Sequence, residues 1–255
     1  MRGLGLALLF GVAAAHAAAS QDVELWREVL EAFDRGDPLV ISELVAVPGS
    51  EAETVSRYLD LERSLYWEGR RLEAAVFVAE QGIAYCLTRA ALVADENAPA
   101  ARQLRGAASR LAFNLASSTW PGWDEPGIEI RASFQQLGLT SARLALRLSE
   151  DLEAGPGALA NGYWMVGAHE LAAGSFDQAG QSFGRAALFA RAASDRGTEL
   201  VSEGFRELTR VAAGEDRDEA VERLGEIRQA LESEVANPDF WTEQIDTARR
   251  VFLRD

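Results

Sequence analysis

The sequence predicts an all-α fold, a solenoid of about four to five antiparallel helix hairpins. Three observations carry that reading. Apolar residues recur at three- and four-residue spacing almost without interruption after Gln21. Runs alternating with period two are scarce; Val40-Ile41 and Val45-Ala46-Val47 are short and fit helical spacing around Glu43. Breakers rich in Gly, Pro, Asn and Ser punctuate helix-length segments, and connections that short set consecutive helices antiparallel.

Composition bounds the function. The 255 residues suit one large domain, two ordinary ones or a short solenoid, and 48% hydrophobic residues supply a core. Every one of the 25 basic residues is Arg, against 40 acidic residues, for a net charge of −15. Such a charge repels phosphate backbones and anionic membrane surfaces, so no nucleic-acid partner is expected. The single cysteine, Cys86, excludes an internal disulfide and reads as a small buried hydrophobe.

Taken in order, the chain opens on one Arg and an apolar run from Leu4 to Ala15, followed by Ala15-His16-Ala17 and Ala17-Ala18-Ala19. These are the parts of a cleaved signal peptide, ending at residue 17 or 19, with an uncleaved anchor as the rival reading. The mature protein is then expected in the periplasm or secreted from a bacterial cell, with no other stretch apolar enough to span a membrane. Residues 21–255 read as a single domain. Leu25, Trp26, Val29, Leu30 and Phe33 make the stripe of a first helix, which Gly36-Asp37-Pro38 ends. Gly69, Gly174 and Gly214 each stand between two amphipathic runs. Asn97-Ala98-Pro99, Gly155-Pro156-Gly157 and Ser194 to Gly197 separate pairs from one another. Residues 100–150 hold a middle pair without a clean repeat signature.

The segment 160–191 resembles a tetratricopeptide repeat. It carries Tyr163, Val166-Gly167, Gly174, Phe176, Ala179, Phe183 and Ala186 in the places where that family has aromatic, aliphatic–Gly, turn, aromatic and small residues. Residues 58–81 match less well, with Glu62 where a small residue is expected, and 205–227 match through Leu208, Gly214, Ala220, Leu224 and Ile227. The resemblance implies a right-handed solenoid whose first helices line a concave groove. It places Leu59, Arg63, Tyr66 and Trp67 from one hairpin on that groove, and Asn161, Trp164, Ala168 and Leu171 from another. Exposed Trp67 and Trp164 beside Arg63 would anchor a peptide.

One stretch breaks the pattern. Ser118 to Ile128 holds two Trp, two Pro and two Gly within the eight residues from Trp120 to Gly127. Trp120 and Trp123 beside Asp124 and Glu125 would form a second recognition platform, or the indoles would plug an irregular hairpin junction. Catalytic motifs are absent, no cofactor or metal is implied, and His169 reads as a surface residue of the repeat helix. The expected function is therefore a non-catalytic exported scaffold binding a protein or peptide. Two alternatives stand beside it: a helical enzyme or glycan binder using Trp120 to Gly127, and a self-associating structural subunit.

Overall fold

The structure is a computed structural model that describes residues 19–46 and 50–253. The expected leader thus lies outside the described residues except for Ala19, and Val47 lies outside them too. Among the described residues there are eleven α-helices and no strand. They are α1 (Ala19–Asp34), α2 (Pro38–Val45), α3 (Glu51–Trp67), α4 (Leu72–Val93), α5 (Ala98–Ser118), α6 (Ala132–Asp151), α7 (Pro156–Ala172), α8 (Phe176–Ala192), α9 (Arg196–Ala213), α10 (Arg217–Glu234) and α11 (Pro238–Phe252). One 3-10 turn, Pro121–Trp123, sits between α5 and α6.

The breakers act as their chemistry requires. Asp37 caps α2, accepting from the Val40 N–H at 3.3 Å, with Pro38 in the first turn where a missing N–H costs nothing. Ser50 and Glu53 close a capping box on α3. Gly214 ends α9 in the left-handed conformation (φ 76°), which a side chain resists. The run Glu215 to Glu219 is exposed and leads into α10, placing Asp218 and Glu219 where the helix dipole favours negative charge.

The described chain packs as two compact units that divide between Ser118 and Thr119. In the first, 19–118, consecutive helices pack on one another, and α3 also touches α1 and α5. Val29, Val45, Tyr58, Leu65, Val78, Leu111 and Leu115 make its core. α4 is long and apolar enough, by length and composition alone, to cross a membrane, which corrects the expectation that no stretch beyond the leader qualifies. Here it packs between α3 and α5, with Ala74, Ala75, Val78, Ala79, Cys86 and Ala90 buried. Burial pushes the Cys86 thiol up to about 11.

In the second unit, 119–253, consecutive helices from α6 to α11 pack in series. On one side α9 also touches both α7 and α11, whereas α8 and α10 make no comparable contact. Phe183 and Phe205 form the centre, both fully buried with ring centroids 5.3 Å apart. Gly167 brings α7 close to α8: a Cβ there would stand 3.0 Å from the Phe183 ring.

Two other glycines give opposite expectations. A Cβ at Gly138 on α6 would fall 2.2 Å from His169 Cε1 and 2.4 Å from Thr119 Oγ1. Gly138→Ala should therefore destabilise by about 1–3 kcal/mol through overpacking. Gly225, exposed on α10 with open space around it, should tolerate alanine and gain about 0.5–1 kcal/mol of helix stability. Chemical denaturation of the two variants checks both signs.

Candidate functional site

The irregular segment does not stand out as a loop in solvent. Trp120 is 1% exposed. Its ring meets Trp164 of α7 at 5.4 Å, Phe205 of α9 at 5.9 Å and Phe252 of α11 at 6.0 Å. Its Nε1 donates to the carbonyl of Ala168 on α7 at 2.9 Å. Trp123 lies edge-on to Trp120 at 4.6 Å and stacks on Trp164 at 5.9 Å. Edge-to-face and offset arrangements of this kind suit the ring quadrupoles, and each indole buries a large apolar area. The segment thus lies on the side where α7, α9 and α11 run next to one another.

Local chemistry shapes that turn. Pro121 fixes the first φ, Asp124 adopts a left-handed φ of 49°, and the Asp124 N–H donates to the Pro121 carbonyl at 3.1 Å. Asp124 is exposed and Glu125 half-exposed, in the coil that continues to Arg131. A cleft of about 250 Å³ lies between α8 and α9, lined by Phe176, Gly180, Arg206, Thr209 and Arg210 among others.

The groove residues separate into two groups. Trp164, expected at the surface, is 6% exposed, and Ala168 and Leu171 are buried with it. The reason is that α7 is small or apolar on most of its circumference, and neighbours bury every residue from Trp164 to Leu171. Asn161, on the first turns of α7, stays half-buried. Tyr66 is likewise buried, at 3%, and presents itself edge-on to Trp67 at 4.9 Å. Trp67 is half-buried and Leu59 half-buried, while the Arg63 side chain is 61% exposed, 4.0 Å from Asp60. His169, read as a surface residue, is 2% exposed and packs where Gly138 leaves room.

Spacing alone missed a set of buried carboxylates. Glu170 accepts from Arg143 at 3.0 Å and from Ser182 at 2.7 Å. Glu207 pairs with Arg210 at 2.7 Å and Arg206 at 3.3 Å. Burial works to raise the Glu199 pKa, but hydrogen bonds from Arg191 and Arg196 outweigh it and hold it below the usual value. Glu62 differs. It is 2% exposed and accepts from Ser118 Oγ at 2.9 Å and Asn114 Nδ2 at 3.1 Å, both on α5, with no arginine bonded to it. Burial, only partly offset by those two hydrogen bonds and by nearby Arg63, pushes its pKa up to about 7. The signal available in the sequence was its misfit to the repeat pattern. Its partners, 52 and 56 residues away, were beyond any local pattern.

Among the described residues no group of His, Cys, Asp and Glu is placed to hold a metal ion. Comparison with protein families, with curated proteins and with solved structures finds no match to this chain.

Proposed function

We propose that the protein is a non-catalytic scaffold of tetratricopeptide-like helix hairpins, exported to the periplasm or beyond, that docks a protein or peptide. In this reading α3, α7, α9 and α11 are first helices of right-handed hairpins and α4, α8 and α10 are second helices. The contact of α9 with both α7 and α11, without a counterpart between α8 and α10, supports that assignment.

The observation that carries the docking reading is the surface of α3. Arg63 and Trp67 are four residues apart, hence on one helix face, with an exposed guanidinium beside a half-buried indole braced by Tyr66. A braced aromatic and an arginine are the residue types that anchor peptide interfaces. Arg63 meets Asp60 at the surface at a long 4.0 Å, a contact weak enough for a carboxylate or carbonyl on a partner to replace. Asp124 and Glu125 add an acidic contact in the other unit.

Pull-down from periplasmic extract tests the proposal, with Arg63→Ala/Trp67→Ala as control. The wild type is expected to retain a partner that the double variant loses at least tenfold. Equal recovery by both forms rejects the α3 face.

A further inference from the structure

The Trp120–Trp123 turn sits on the second unit as a bound ligand would. One indole touches a ring on each of three helices that are remote from it in sequence, and its N–H goes to a main-chain carbonyl of α7. Meanwhile the turn holds its own shape. The Trp120 ring folds over Gly122 so closely that a Cβ there would stand 2.2 to 2.6 Å from three ring atoms. Trp123 packs edge-on to the same ring, and the turn closes by its own backbone hydrogen bond. A segment with local contacts of this kind carries its conformation with it, which lowers the ordering cost of binding.

The receiving face is also incompletely satisfied. Trp164 lies against both indoles, yet its buried Nε1 has no hydrogen-bond acceptor. A buried donor without a partner is uncommon and destabilising. A ligand that kept the aromatic turn and offered an acceptor at that point would complement the face better than the chain's own segment does.

We propose that the side of 119–253 formed by α7, α9 and α11 is a docking surface for an aromatic Pro-Gly turn, filled in cis by Trp120-Pro121-Gly122-Trp123. As long as that segment is seated, the surface is closed to other polypeptides. The proposal rests on the scaffold reading only in treating a helix-repeat face as a docking surface; it does not involve α3, so the two can fail separately.

A labelled synthetic peptide spanning Ser118 to Gly127 tests it, added to full-length protein and followed by fluorescence anisotropy. Trp120→Ala/Trp123→Ala, with its helical circular dichroism retained, should bind the peptide at least tenfold more tightly than the wild type, whose surface is occupied. A folded double variant that does not bind, or a wild type that binds equally well, overturns the proposal. Should the double variant lose its helical signal, Gly122→Ala decides the matter by hydrogen exchange, because its Cβ forces the Trp120 ring away. Amides of α7 and α11 are then expected to exchange at least tenfold faster than in the wild type. Unchanged exchange there overturns the proposal.

Discussion

Replacing Glu62 by glutamine is expected to raise stability at pH 8 by up to about 3 kcal/mol, and to leave stability near pH 4 almost unchanged. The direction follows from the raised pKa. Below about 4.5, the ordinary value, the carboxyl is neutral whether folded or not, and its contribution to the fold is intact. As pH rises from there through about 7, unfolding releases a proton from this group, so stability falls with each step. Above about 7 the folded protein holds a buried carboxylate, and the full penalty is present. Glu199, which Arg191 and Arg196 hold below its usual value, behaves in the opposite sense, so the wild-type curve alone mixes signs. The difference between wild type and Glu62→Gln isolates the group. Denaturant titrations at pH 4, 6 and 8 measure it; a difference that stays flat with pH refutes the assignment. Glutamine preserves the shape without the charge: its oxygen accepts from Asn114 Nδ2, and its amide NH2 donates to the Ser118 hydroxyl oxygen in place of the bond that Ser118 gave.

The second large effect is expected at Phe205. Its side chain is fully buried and meets Trp120, Trp164 and Phe183 at 5.9, 5.1 and 5.3 Å. Phe205→Ala should cost about 3–5 kcal/mol, the lost transfer energy plus the hole left among three rings. Rings so tightly joined do not act independently, so Phe205→Ala/Phe183→Ala should cost less than the two single changes summed. A double-mutant cycle by urea denaturation, read through exchange protection within 119–253, checks both statements. Simple additivity would mean that the rings are neighbours without energetic coupling.

Much of the architecture was legible because helices announce themselves locally. The stripe from Leu25 to Phe33, the break at Gly36-Asp37-Pro38 and the glycines at 174 and 214 all read correctly as elements and breaks. The all-helical fold with neighbouring helices packed in series follows from those signals. What did not follow was exposure. Trp164 and Tyr66 obey helical spacing, but spacing says which residues share a face and not what covers it. The composition of α7 held the missing clue, since a helix small and apolar on most of its circumference has little wet face to offer. Trp120 left two readings open, platform or plug, and only tertiary contacts 44 to 132 residues away turned it inward. Glu62 was visible as an oddity in a repeat pattern, whereas the serine and asparagine that hold it belong to another helix.

Cys86 adds a different consequence. Its sulfur sits wholly inside α4's packing, and burial keeps it as the thiol rather than the thiolate. In an oxidising compartment a chain in this state offers no nucleophile to a neighbour. Covalent dimers in a preparation would thus mark molecules whose first unit had come open before oxidation, and their fraction would record that history after the chains had refolded.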